Sequence, residues 1–143
     1  MIRVLEPGLM TTVQDRGRWG HQNLGVPVAG AMDECSHRLA NRLVGNSSEL
    51  ATLEVTLVGP SLEFLAETTC AVAGAGFELW LDGVQVQTGR AFCVPPGGGL
   101  RFGRRRAGAR AYLAVSGGID VPPVLGSRST DLASQLGGLG GRS

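Results

Sequence analysis

Apolar residues in this chain fall into short runs of period two, and nearly every run is closed by glycine or proline. Leu53, Val55 and Leu57 alternate with Glu54, Thr56 and Val58 before Gly59-Pro60 turns the chain into Leu62, Glu63 and Phe64. Residues 69–73 form another run. Phe77, Leu79 and Leu81 then share a face opposite Glu78 and Trp80, and Asp82-Gly83 leads into Val84 and Val86. Residues 91–94, 100–102 and 109–115 complete the series, separated by Pro95-Pro96-Gly97-Gly98-Gly99 and by Arg104-Arg105-Arg106. Period-two alternation marks strands with one buried face, and Asp-Gly is a strong two-residue hairpin signal. With 23 glycines and 7 prolines in 143 residues, turn chemistry is plentiful. The expected fold is mainly β, a β-barrel or sandwich with one covering helix, in a single domain over residues 1–143. The triple arginine reads as a solvated turn between Phe102 and the strand of Tyr112, and Trp80 as packing.

One helix interrupts this pattern, over about residues 33–44. Asp33 can cap it, Glu34 complements the positive end of its dipole, and Gly45 supplies the left-handed stop. Cys35, Leu39 and Leu43 recur at four-residue spacing, so they and Ala40 are expected to face the core. Glu34, Arg38 and Arg42 form the wet face, with His37 at its border.

Charge and cysteine usage narrow the function classes. The chain is 43% apolar and 17% charged, which places it among globular proteins. No apolar run approaches the roughly 20 residues of a membrane span, and residues 1–4 lead into the first motif without a secretory segment, so a cytoplasmic location is expected. Thirteen arginines, no lysine and twelve acids leave a formal charge of +1, with no global field to draw the protein onto nucleic acid. Without lysine, a Walker-type P-loop and a Schiff-base mechanism are both excluded within this chain. Cys35, Cys70 and Cys93 are widely spaced in apolar sequence and read as reduced core thiols. His21 and His37 lack metal-binding spacing, and no metal site is expected.

Polar groups concentrate between turn-forming glycines in three places. Residues 8–18 carry Thr11, Thr12, Gln14, Asp15 and Arg18, and residues 25–33 answer them with Gly25, Pro27 and Gly30. Asp15 and Arg18 could grip a carboxylate and an amide of a ligand, or Asp15 could accept backbone amides of its own turn while Arg18 pairs with it and pins the loop. Glu54 interrupts an apolar strand, so it either meets solvent or enters a pocket, where it needs a partner; an Arg-Glu pair or a hydrogen-bonded carboxylate competes with a general-base role. Ser116-Gly117-Gly118-Ile119-Asp120 and Gly126-Ser127-Arg128-Ser129-Thr130 together read as an anion or carboxylate grip built from glycine-freed amides, hydroxyls and Arg128.

Four blocks in order, TTVQDRGRWGHQNLGVPVAGAMDECSHRLANRLVGN, LEVTLVGPSLEF, RAYLAVSGGIDVPPVLGSRSTDL and GGLGGR, resemble the family of the C-type subunit of 5-oxoprolinase, also known as allophanate hydrolase subunit 2 or biotin-dependent carboxyltransferase-like protein. The resemblance covers the chain from Val4 to Arg142 and implies a cyclophilin-like β-barrel. Relatives are longer, so the chain is expected to be an N-terminal half, truncated at its C-terminus. The implied function is that of a subunit of an ATP-dependent 5-oxoprolinase, which opens 5-oxoproline to glutamate with A-type and B-type partner subunits and is inactive alone. ATP with Mg would then sit on a partner or a shared interface, since this chain shows no nucleotide site. On that reading Asp15 and Glu54 are the candidate catalytic residues, and Gln14, Arg18, Gly117, Gly118, Arg128 and Ser129 the candidate substrate contacts. Two alternatives follow from the same resemblance: a biotin-dependent carboxyltransferase module of the urea carboxylase type, requiring a biotinyl partner, and a non-enzymatic regulator that binds a sporulation kinase inhibitor.

Overall fold

The computed structural model describes residues 1–141 and 143; Arg142, the penultimate residue of the glycine-rich end, lies outside the described residues. In chain order the elements are β1 (Ile2–Glu6), β2 (Met10–Gln14), a 3-10 turn (Gln22–Leu24), α1 (Glu34–Leu43), β3 (Thr52–Thr56), β4 (Ser61–Phe64), β5 (Thr68–Leu81), β6 (Val84–Val86), β7 (Phe92–Val94) and β8 (Gly99–Val115). The mainly β expectation with one helix holds.

Two long antiparallel strands form the spine. β5 and β8 pair from Cys70↔Val115 to Leu81↔Leu100, with register shifts between Gly74 and Leu79 that bend the ladder. The other edge of β8 takes β4 near its start, through Ser61↔Arg101, and β3 near its end, through Leu53↔Leu113. β1 continues outward from β4 and β2 from β3, while β6 and β7 pair with β5. The result is one curled sheet, a half-barrel with α1 laid across it. Asp82-Gly83 makes the expected hairpin, its two residues at φ 49° and 81°, the left-handed pair that a type I′ turn requires.

Several local expectations change. Residues 69–73 and 77–81 belong to one 14-residue strand, and residues 100–102 and 109–115 to one of 17 residues. Arg104-Arg105-Arg106 is therefore strand rather than turn. Its backbone is held by the partner strand, with Phe77 opposite Arg105, and Arg106 reaches Glu78 at 2.8 Å. Gly59-Pro60 does connect β3 to β4, but those strands pair with β8 and not with each other.

Alternation along β8 divides the interior. Ala111, Leu113 and Val115 enter the main core with Val55, Leu62, Phe64, Val72, Leu79 and Phe102, whereas Tyr112 and Ala114 lie beneath α1 with Ala73 and Ala40. A strand buried on both faces explains why the small residues Ala73 and Ala114 stand under the helix: each extra methylene there would lift it. The helix itself is turned from the expected orientation. It buries His37, Ala40 and Asn41, while Leu39 is 48% exposed and Cys35 is also in solvent. The reason is that the adjoining segment offers carbonyls and a hydroxyl: His37 meets the Ser48 carbonyl and the Thr52 hydroxyl, and Asn41 donates to the Leu50 carbonyl. Of the three free cysteines only Cys70 is a core thiol; Cys93, like Cys35, is exposed. Trp80 is half-buried, with the Arg101 guanidinium 5.8 Å from its ring centroid.

Candidate functional site

Period two places Thr12 and Gln14 of β2, Thr52, Glu54 and Thr56 of β3 and Tyr112 of β8 on the face opposite the main core, and all six are buried. A buried polar layer is tolerable only when its groups find partners. Gln14 donates from Nε2 to Thr12 Oγ1 at 3.1 Å and to the Thr130 carbonyl at 3.0 Å, and its Oε1 accepts from Gly30 N at 3.1 Å. Glu54 Oε2 accepts from the Tyr112 hydroxyl at 2.7 Å and from Met32 N at 2.9 Å, and Arg110 Nε lies 3.9 Å from its Oε1. The Tyr112 hydroxyl in turn accepts from Asp33 N at 2.9 Å, at the helix entrance. Burial and the Glu54 hydrogen bond push the Tyr112 phenol well above its ordinary value, so it stays protonated as the donor.

The stretch 127–130 does form a carboxylate grip, and its occupant is Asp15 of the same chain. Asp15 Oδ1 accepts from the Ser127 hydroxyl at 2.6 Å, the Ser129 hydroxyl at 2.7 Å and Gly17 N at 2.9 Å, while Oδ2 accepts from Arg128 N at 2.7 Å. Burial raises the carboxyl's pKa, yet these four donors together outweigh it and hold the group below the usual carboxylate range. The expected acceptance of its own turn amide is seen at Gly17; the expected pairing with Arg18 is not. Arg18 is 1% exposed and directs its guanidinium at carbonyls instead, Nη2 to Ser129 at 2.6 Å and Nε to Val124 at 3.2 Å. Gly137 packs onto the Ser129 carbonyl and this guanidinium so closely that a Cβ there would collide with both.

Gly117 and Gly118 do not join that grip. Gly117 N donates to Asn46 Oδ1 at 3.0 Å, and Gly118 lines a separate, mainly apolar hollow of about 390 Å³ with Ile2, Val13, Leu53 and Val121. The Arg128 side chain reaches Asp120 at 3.8 Å, and only its backbone amide bonds Asp15. Gln14, Asp15, Arg18, Ser129 and the Arg128 amide are thus brought together, Glu54 sits in the same buried layer on the neighbouring strand, and the glycine pair stands apart.

The segment 29–33 ties the two carboxylate clusters together. Ala31 N donates to the Asp15 carbonyl and Arg18 N to the Val28 carbonyl, so the two loops run backbone to backbone. Gly30, at φ 93°, lies so close to Gly17 that a Cβ would press on its amide nitrogen at 3.1 Å. This segment then forms one wall of an open cleft of about 540 Å³, lined by Met32, Asp33 and Ser36 at the helix entrance and by Gly74, Gly76, Gly108 and Arg110 of the bent β5–β8 ladder. Arg110 is the cation in that wall, and its side chain is 32% exposed. Glu54, behind it, is only 4% exposed.

Tyr112, His37, Asn41 and Arg110 complete the layer without having stood out in the sequence as site residues. A signal was present for Tyr112: it is the only tyrosine, and alternation puts it on the face of Ala114 rather than Leu113. Among the described residues no group of three or more His, Cys, Asp or Glu could hold a metal ion, and no helix is long and apolar enough to cross a membrane.

Comparison with known proteins agrees with this architecture. The family model for the carboxyltransferase domain, subdomain A and B, matches residues 24–143. The chain is 46% identical over 142 residues to the C-type subunit of 5-oxoprolinase from Escherichia coli (strain K12), covering 99% of this chain and 46% of that protein. It is 44% identical over 142 residues to urea amidolyase of Saccharomyces cerevisiae, covering 99% of this chain and 8% of the relative. The crystal structure of K. lactis urea amidolyase superposes with a TM-score of 0.94 at 48% identity, over 99% of this chain and 9% of that one. The chain therefore spans about half the length of the 5-oxoprolinase subunits that it matches. It belongs to the carboxyltransferase domain family, subdomain A and B.

Proposed function

We propose that this chain is the part of a C-type 5-oxoprolinase subunit that orders one wall of the substrate cleft, acting as a hydrolase component only together with A-type and B-type subunits in the cytoplasm. The observation that carries this reading is the 46% identity to the C-type 5-oxoprolinase subunit of Escherichia coli, maintained over 142 residues. The cleft suits the substrate's chemistry. 5-Oxoproline carries one carboxylate and one lactam carbonyl, and Arg110 offers a partly exposed guanidinium at the wall to receive the carboxylate. Glu54 and Tyr112 hold Met32 and Asp33, the residues that shape the opposite wall. Asp15, gripped by Ser127, Ser129 and Arg128 N, fixes the loop behind them, with Gln14 and Arg18 locking the same segments.

On this geometry the two carboxylates position the wall rather than exchange protons with substrate, because both are buried and already hydrogen-bonded. The lactam is a stable amide, and ATP with Mg, held by a partner or at a shared interface, supplies the activation of its carbonyl oxygen. Glutamate release from 5-oxoproline and ATP, measured with this chain inside its full-length protein and with both partner subunits, tests the reading. Arg110→Ala is expected to raise KM about tenfold or more with kcat changed only a few-fold, as for a lost ground-state contact. Failure of the wild-type complex to produce glutamate would exclude the hydrolase role.

The TM-score of 0.94 to K. lactis urea amidolyase favours a second reading, a carboxyltransferase module acting with carboxybiotin. This chain has no lysine to carry biotin, so that chemistry needs a biotinyl partner. Avidin separates the two: inhibition supports carboxyl transfer, and full activity in its presence supports the oxoprolinase.

A further inference from the structure

The outer edge of β8 between its two pairing partners is open. β4 pairs with β8 through Gly99 to Arg101 and β3 through Arg110 to Leu113, so residues 103–108 have no strand on that side among the described residues. This free stretch contains Arg104, Arg105 and Arg106, and β8 as a whole carries five arginines and no acid. Only Arg106 and Arg110 have an acidic partner within 4 Å, Glu78 and Glu54; Arg101, Arg104 and Arg105 form no ion pair among the described residues. Like charges crowded on one strand repel, so an uncompensated cluster is a cost to this chain that an anionic partner would remove.

Beside the same opening the chain presents apolar side chains to water. The turn from β3 to β4 follows the gap, Leu57 N donating to the Ala109 carbonyl at 2.9 Å and Phe102 N to the Pro60 carbonyl at 3.0 Å. At its tip Leu57 and Val58 are 40% and 58% exposed, and Leu9, whose amide donates to the Val58 carbonyl, is 61% exposed. Leu57 has φ +60°, a left-handed backbone unfavourable for a leucine. A strained backbone that holds a large apolar side chain in solvent is a local conflict expected at a binding surface and not at an idle turn.

We propose that Leu9, Leu57 and Val58, together with Arg104 and Arg105, form a docking surface for a partner subunit whose contact face is an apolar knob rimmed by carboxylates. The apolar turn tips supply the desolvated centre and the arginines the charged rim, the division of labour typical of protein interfaces. This rests on the multi-subunit reading above and specifies where this chain meets its partner.

The test measures association of the full-length C-type protein with purified A-type and B-type 5-oxoprolinase subunits by surface-based kinetics at two salt concentrations. One variant carries Arg104→Glu and Arg105→Glu; a second carries Leu57→Asp and Val58→Asp; Arg90→Glu, exposed in the loop between β6 and β7, serves as a control for charge alone. The charge pair is expected to slow association on the order of tenfold at low salt and to abolish most of the salt dependence, whereas the apolar pair should accelerate dissociation at least about tenfold. Because all four residues are exposed, neither variant is expected to lower the melting temperature, and circular dichroism should be unchanged. Wild-type kinetics in both variants would overturn the docking surface while leaving the multi-subunit reading intact. No binding of the wild-type protein to either partner would overturn that reading and the surface with it.

Discussion

Asp15 shows how a single carboxylate can stand in for a ligand. Its four donors come from Gly17 and from residues more than a hundred positions away, so one side chain joins the start of the chain to residues 127–129. Replacing it with asparagine removes the charge and puts amide hydrogens among donors. Asp15→Asn is expected to cost about 2–4 kcal/mol, the range for breaking charged hydrogen bonds and stranding buried donors, read as a lower urea midpoint at unchanged m-value. His37 gives the pH dependence. Burial lowers its pKa below the ordinary value of 6.5, against smaller opposing effects from the Ser48 carbonyl and from Asp15, Glu34 and Glu54. The unfolded chain therefore binds the proton more readily, and stability falls as pH drops below about 6.5 until the folded histidine also titrates. Asp15 contributes in the same sense at lower pH: its folded pKa is lowered from 3.8, so its stabilisation is present above that value and is lost as pH falls through the folded one. Thermal melts across pH 3–8 should show both losses in wild type, and His37→Gln, which keeps a partner for Thr52, should flatten the upper one.

α1 is the element where sequence pattern and structure diverge most usefully. Its capping is as the sequence indicates, with Asp33 Oδ1 accepting from Ser36 N at 3.1 Å. Its buried face is rotated from the leucines to His37, Ala40 and Asn41, which yields a sharp comparison. Leu39→Ser should change stability by no more than about 0.5 kcal/mol, as at other exposed positions, whereas Ala40→Leu should cost about 1–3 kcal/mol by lifting the helix from Ala73 and Ala114. Calorimetry on the two variants decides; equal effects would refute the assigned face. Strands were legible because period two is a local property: the core positions Val55 and Leu79 follow from alternation, and the hairpin at Asp82-Gly83 from its turn dipeptide. Which polar groups meet was less so. Asp15 and Ser127 carry turn-like surroundings that mark them as special, but nothing local says that one fills the grip formed by the other. His37 and Arg110 were hidden for the same reason, since their partners lie on other elements.

At the scale of the molecule, pairing is unevenly distributed, and the unevenness places both the cleft and the open edge. β5 and β8 pair with each other along most of their length and take shorter strands at the two ends of their other edges, whereas β1, β2, β6 and β7 each pair with one strand. The ladder shifts between Gly74 and Leu79 bend this spine just where β3 and β4 separate, so the cleft wall at Gly74, Gly76 and Gly108 and the unpaired stretch 103–108 are two consequences of one bend. A strand locked on both sides exchanges its amide hydrogens only through large-scale unfolding, while a short outer strand opens locally. Hydrogen exchange at neutral pH should therefore find the slowest amides in residues 111–113, which β3 and β5 flank on either side. β6, with its three residues and exposed Val84, should exchange first among the strands. Residues 103–108 provide the sharper comparison within β8 itself. Despite belonging to the longest strand, they should exchange several orders of magnitude faster than Leu113, because one of their edges faces water and the ladder on the other is interrupted by bulges. Uniform protection along β8 would mean that the strand behaves as one rigid unit and that the bend does not divide the half-barrel into a firm centre and an open rim.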